Sequence, residues 1–201
     1  MYSILDKTMK LEKEVIAGLL LVVGSIQWFF IVLISEGLYP RYVSSYHYVS
    51  TLGTGQTANL YNASTFILGV CVVTASFLIR RFKPSKLFFT LLLIAGLGAL
   101  GLGIFPEDSR PMHGIVTPIT LIFGGLAGAF AFKVQSRPLS YLSMILGVGS
   151  ILLGLLFIPY MGLAVESDVM YLGFYKGTLE RIVIYPLILW MMTLGSQLAR
   201  R

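Results

Sequence analysis

The dominant pattern along the chain is a succession of long apolar runs separated by short polar segments. Six runs stand out: Val15–Ile34, Leu60–Ile79, Leu87–Phe105, Gly114–Phe132, Leu139–Ile158 and Ile182–Ala199. Each comes close to the roughly 20 residues that a helix needs to cross a hydrocarbon core about 30 Å thick. In hydrocarbon, every backbone N–H and C=O needs a partner within its own segment, so the runs must be helical. The connections at 80–86 and 133–138 are short, which makes the helices they join antiparallel neighbours. No linker, low-complexity tract or clear repeat divides the chain. The pattern predicts one all-α domain over residues 1–201, an integral membrane bundle of six transmembrane helices.

Composition supports this and removes alternatives. The chain is 56% hydrophobic and only 12% charged, with a mean hydropathy of +0.83. Ordinary globular domains carry roughly 25% charged residues. Lys7, Lys10 and Lys13 ahead of the first run imitate a secretory signal, whose apolar core spans about 7–15 residues. The run here is longer and ends in Ser35-Glu36-Gly37-Leu38-Tyr39-Pro40 without a small-residue cleavage site, so it reads as a retained anchor. A single cysteine, Cys71, excludes an intramolecular disulfide, and no Cys-His cluster has structural-zinc spacing. The scarce amides and aliphatic bias suit a thermophilic archaeon.

Charge then orients the bundle. Lys7, Lys10, Lys13, Arg80, Arg81, Lys83, Lys86, Lys133, Arg137, Arg200 and Arg201 fall on one side, leaving Arg41, Arg110, Lys176 and Arg181 on the other. Basic loops stay cytoplasmic, so the expectation is a multi-pass plasma-membrane protein with both termini inside. The net charge of +6 is then a topology signal and an attraction to anionic lipid. The bilayer is the expected partner, with a partner membrane subunit or a homo-oligomer as further candidates, and nucleic acid is excluded.

The outer side differs in kind. Its longer loops, 35–59 and 159–180, and the 106–113 turn carry or adjoin Tyr39, Tyr42, Tyr46, Tyr48, Tyr61, Tyr160, Tyr171, Tyr175 and Tyr185. They also carry Glu36, Glu107, Asp108, Glu166, Asp168, Glu180 and both histidines, His47 and His113. An aromatic belt accounts for some of these, but belts serve both faces and the inner loops are nearly free of aromatics. The expectation is a tyrosine-rich outer cap. Within the bundle, Ala95/Ala99/Gly103, Gly124/Gly128, Ser143/Gly147 and Ser150/Gly154 are spaced to let helices approach closely. Pro186 should kink the sixth helix. The interior holds Gln27 but no mid-membrane Asp, Glu, His or Arg, which argues against ion-coupled transport.

Four dispersed stretches meet at the outer level: Ser50-Thr51-Leu52-Gly53-Thr54-Gly55 leading to Asn62, Phe105-Pro106-Glu107-Asp108, Met112-His113-Gly114, and Thr178-Leu179-Glu180-Arg181. The candidate binding cluster is Glu107, Asp108, His113, Glu180, Arg181, Ser50 and Asn62. Several have plain structural roles. Asp108 or Ser109 can cap the fourth helix with Pro111 in its first turn. Glu180 suits a helix first turn, and Gly53 and Gly55 suit turns. Asn62-Ala63-Ser64 matches the glycosylation sequon at the membrane edge, where an interhelical bond from Asn62 is the better reading. Glu107 at a helix C-terminus and Arg181 at a helix N-terminus each oppose the local dipole, so they should serve each other or a ligand. His113 with Glu107, Asp108 or His47 offers ligand types for zinc or a harder cation, at no known spacing. Ser50, His113 and Asp108 lack a nucleophile elbow, His47 lies in a loop unsuited to haem, and no phosphate-binding loop sequence occurs.

These motifs resemble the archaeal and bacterial membrane-protein family catalogued as domain of unknown function 998. The resemblance is carried by Tyr48-Val49-Ser50-Thr51-Leu52-Gly53, Asn62, Gly103-Ile104-Phe105-Pro106-Glu107-Asp108, His113, Glu180-Arg181-Ile182-Val183-Ile184-Tyr185-Pro186 and Trp190, across about residues 15–200. It implies six helices with motifs gathered near one face, and no established activity. Relatives place an acid within the Ser-x-Leu-Gly motif where this chain has Thr51, which counts against a metal site built there.

Three functions are open. One is a non-catalytic component binding a partner subunit or lipid headgroup through its outer face, the reading preferred where no catalytic set is recognisable. The second is a membrane enzyme acting on a lipid or lipid-linked substrate, and the third is a small transporter or channel. No cofactor is assigned beyond a metal ion or bound lipid as candidates.

Overall fold

A computed structural model describes residues 2–82, 85–161, 163 and 167–200, with side chains from residue 12 onward. Lys83, Glu166 and Arg201, and the side chains of Lys7 and Lys10, lie outside the described residues. Six helices dominate: α1 (Tyr2–Leu38), α2 (Ala58–Phe82), α3 (Lys86–Ile104), α4 (Met112–Ala129), α5 (Leu139–Phe157) and α6 (Lys176–Ala199). All six are long and apolar enough to cross a membrane. Consecutive helices pack side by side and α6 closes on α1, so the six form a ring. Large apolar side chains such as Val23, Phe30, Ile145, Leu152 and Leu189 point outward, as a bilayer-facing surface requires.

The helices start and stop where chain chemistry, not polarity, dictates. α1 extends far beyond 15–34 because its polar first turns contain no helix breaker, and it ends just before Pro40. α6 begins six residues ahead of Ile182, which puts Glu180 and Arg181 in its second turn. α4 ends at Ala129, short of Phe132, and the chain then enters a 3-10 turn over Ala131–Lys133. The expected cap on α4 is not formed by Asp108 or Ser109. Pro111 occupies the cap position without a side-chain bond, and the His113 N–H donates to the Ser109 carbonyl at 3.1 Å. Pro118 and Pro186 both lie inside continuous helices.

Small residues set the helix spacing. A Cβ on Gly18 of α1 would sit 2.5 Å from the Gly195 carbonyl oxygen of α6, and one on Gly69 of α2 equally close to the Leu100 nitrogen of α3. Gly147 of α5 packs directly on the backbone of α4 at Gly125, Gly128 and Ala129. Polar clamps reinforce the seams. Gln27 Nε2 donates to the Ser64 carbonyl at 2.9 Å while the Ser64 hydroxyl donates back to Gln27 Oε1 at 2.8 Å. Trp28 Nε1 donates to Thr65 Oγ1 at 3.1 Å, and the Ser150 hydroxyl to the Val183 carbonyl at 2.7 Å.

Two outer loops cover one end of the ring. The first, between α1 and α2, includes short 3-10 turns at Ser50–Gly53 and Gly55–Thr57. The second contains a small antiparallel hairpin, β1 (Met170–Tyr171) with β2 (Phe174–Tyr175). The Tyr48 hydroxyl joins the loops by donating to the Tyr160 carbonyl at 2.6 Å, and the Tyr160 hydroxyl donates to the Phe174 carbonyl at 2.7 Å. This is the tyrosine-rich cap.

If backbone contact at α4–α5 sets the bundle diameter, Gly147→Val costs about 1–3 kcal/mol by overpacking. Gly149→Ala, whose Cβ meets nothing within 4 Å, stays near wild type. Thermal unfolding of both variants in one detergent measures the difference.

Candidate functional site

The site begins with two adjacent residues in the second turn of α6. Arg181 turns toward the first outer loop. Its Nη2 pairs with Glu36 Oε1 at 2.5 Å and donates to the Tyr42 hydroxyl at 2.7 Å. Its Nη1 donates to the carbonyls of Gly177 at 2.9 Å, His47 at 3.2 Å and Ser44. The expected pairing of Arg181 with Glu107 is therefore replaced by Glu36. Glu36 sits at the C-terminal end of α1, where a carboxylate opposes the helix dipole, so the logic that singled out Arg181 also points to it. Gly177 completes the seat, because a Cβ there would collide with the Ser44, Ser45 and His47 carbonyls. Buried Lys176, 1% exposed, sits over the Tyr46 ring at 4.5 Å and donates to the Ser167 carbonyl at 2.9 Å. Nothing in the local sequence marks that burial.

Glu180 engages a later stretch of the same loop. Its carboxylate, 5% exposed, accepts the backbone N–H of Val49 and a further one from Ser50. Glu107, in the α3–α4 turn and 6% exposed, accepts the Thr51 hydroxyl at 2.7 Å. Thr51 thus acts as a donor to a buried carboxylate. Among the described residues neither Glu107 nor Glu180 forms an ion pair.

These groups border a cavity of about 500 Å³ between the first turns of α4 and the outer end of α5. Ser50, Glu107, His113 and Glu180 all line it, together with Tyr48 and Arg110. Exposed Ile115 and Met161 at its edge place it on the bilayer-facing side. His113 Nδ1 lies 2.9 Å from the Phe105 carbonyl, so Nδ1 carries the proton and the opposite ring nitrogen is left for another partner. Ser50, His113, Thr117 and Glu180 also line a second cavity of about 90 Å³, which runs down the bundle axis between α1, α2, α3, α4 and α6. Its walls are otherwise mainly apolar, and both tryptophans of the chain, Trp28 and Trp190, border it.

The remaining candidates fall outside the shared wall. Asp108 is exposed and lines neither cavity. Asn62 lines the axial cavity, and its Nδ2 donates to the Gly53 carbonyl at 2.9 Å, a loop bond instead of an interhelical one. Its Oδ1 is buried with no partner among the described residues, and a Cβ on Gly53 would lie 2.5 Å from that oxygen, so the amide packs closely on Gly53. His47 stacks on Tyr42 at 5.3 Å and accepts the Val43 N–H at 2.9 Å, committed within its own loop. Among the described residues no three His, Cys, Asp or Glu side chains converge as a metal site. The set His113, Glu107, Asp108 and His47 is therefore not assembled.

The family model described as Protein of unknown function (DUF998) matches residues 22–197. The chain belongs to the DUF998 family. No curated protein and no solved structure matches it. In this DUF998 chain the loop motif around Ser50, the turn around Glu107 and the α6 motif around Glu180 meet at one cavity wall, although they are far apart in sequence.

Two outcomes follow from the clamp. Arg181→Gln strands Glu36 and several loop carbonyls, costing about 3 kcal/mol. Arg181→Lys recovers only part, because an ammonium cannot spread its donors over the same fan. Thermal unfolding, with limited proteolysis of the first outer loop, reads both. Burial also pushes the Tyr42 and Tyr48 phenols well above their ordinary value of 10, with Arg181 partly opposing this at Tyr42. A raised folded value favours the neutral phenol, so its contribution is complete below pH 10 and is lost as pH climbs beyond it. Melting temperature against pH, with phenolate absorbance recorded in parallel, checks the sign.

Proposed function

We propose that this protein binds an amphipathic molecule, a lipid or lipid-linked compound, drawn from the outer leaflet. The polar head lies among Ser50, Glu107, His113 and Glu180, and the apolar part reaches inward along the bundle axis. The observation that carries this reading is the shared wall: Ser50, His113 and Glu180 border both the outer cavity, which holds the Glu107 carboxylate, and the apolar axial one. Glu107 and Glu180, buried and without an ion pair among the described residues, favour a head rich in hydrogen-bond donors, an amine or polyhydroxyl, since a buried polar group needs a partner. The termini are cytoplasmic in this arrangement, following the distribution of lysine and arginine.

A second reading, chemistry on the bound molecule, is favoured by His113. With Nδ1 held by the Phe105 carbonyl, its other nitrogen is oriented to accept a proton at the cavity. Binding alone leaves a captured lipid unchanged, whereas turnover converts it to a product that His113→Ala no longer forms.

Binding has a direct optical test. Trp28 and Trp190 are 3% and 1% exposed, so bulk lipid does not reach them. An amphiphile with a brominated acyl chain should quench tryptophan emission on entering the axial cavity. Glu180→Gln weakens that quenching, and Ala99→Phe blocks it by filling the cavity. Emission unchanged at saturating brominated lipid would remove the proposal.

A further inference from the structure

At the opposite end of the ring, the connection from α4 to α5 borders a cavity of about 480 Å³. Its polar wall consists of Gln135, Ser136, Arg137 and Ser140. Gln135 is only 5% exposed, yet neither its Nε2 nor its Oε1 has a hydrogen-bond partner. A buried amide left in this state costs free energy at each atom, so its natural complement is an occupant that both accepts and donates. The nearby Gln197 Nε2 donates to Ser136 Oγ, while its Oε1 is likewise buried and unpartnered. Arg137 lies over the Tyr141 ring at 5.1 Å and Lys133 over the Phe132 ring at 5.0 Å, and neither forms an ion pair among the described residues. Among the described residues, none that lines the cavity is acidic. On the lipid side the walls are Phe132, Tyr141 and Met144, all exposed.

We propose that this cavity is a second lipid site, separate from the outer one, that holds the headgroup of an anionic phospholipid. The phosphodiester oxygens accept from Gln135 Nε2 and from Arg137, with Lys133 adding to the local positive potential. A hydroxyl of the headgroup donates to Gln135 Oε1, and the acyl chains lie along Phe132 and Met144. The chemistry is that of a basic, aromatic-flanked pocket at a membrane interface. The inference does not depend on the outer cavity.

Native mass spectrometry of the detergent-purified full chain, titrated with phosphatidylglycerol or phosphatidylcholine, tests it. Phosphatidylglycerol should form a single-lipid adduct about tenfold tighter than phosphatidylcholine. Gln135→Leu and Arg137→Gln should each reduce that preference, while Gly149→Ala, whose Cβ meets nothing within 4 Å, leaves it intact. Gln135→Leu replaces an unsatisfied amide and so retains the fold, which thermal unfolding verifies. Arg137 is exposed, and its variant provides an independent reading. Equal binding of the two lipids, or a preference unaffected by both substitutions, overturns the proposal. Displacement of phosphatidylglycerol by millimolar inorganic phosphate would assign the pocket to free phosphate and overturn the lipid as its source.

Discussion

A loop laid over the end of a membrane bundle has carbonyls and amides that neither helix nor sheet can satisfy. In this protein two consecutive residues of α6 supply what is missing. Arg181 donates to loop carbonyls at Ser44 and His47, and Glu180 accepts loop amides at Val49 and Ser50. One guanidinium and one carboxylate therefore grip opposite sides of the same loop. Glu36 neutralises the guanidinium, and the absence of a side chain at Gly177 lets the loop lie against the helix.

The outer cavity follows from that grip. With the loop held, Thr51 reaches Glu107 and Ser50 forms part of the wall opposite His113. The tyrosines extend the same arrangement outward. Tyr42 donates to the Tyr48 carbonyl, Tyr48 to Tyr160, and Tyr160 to the hairpin, so the two loops form one cap. Beneath it, glycine contacts hold the helices of the ring close together while the centre keeps an apolar channel bordered by two tryptophans.

Much of this was legible in the residues. The six spans were evident from apolar length, and the cap from the crowding of tyrosine and acid on one side. Arg181 and Glu107 stood out because each opposes a helix dipole. Their partners were not legible. Arg181 pairs with Glu36, which is distant in sequence and itself opposes the dipole of α1. Asp108, adjacent to Glu107, is exposed, and one step along the chain was enough to separate a wall residue from a surface one. Both α1 and α6 begin ahead of their apolar runs: the polar first turns of α1 contain no helix breaker, and the start of α6 rests on the cap, which tolerates polar residues that a lipid-facing segment would not. The burial of Lys176 under tyrosine rings and the unsatisfied amide of Gln135 left no trace in local pattern.

Membrane class, the number of spans and the segregation of charge follow from the sequence alone, because the cost of placing charge and unpaired backbone in hydrocarbon acts on each segment separately. Which groups meet was decided only by the tertiary structure. It depends on the rotation of each helix about its axis and on the path of the loop above it, and both are set by contacts between residues more than a hundred positions apart, such as Glu180 with Val49 and Arg181 with Glu36.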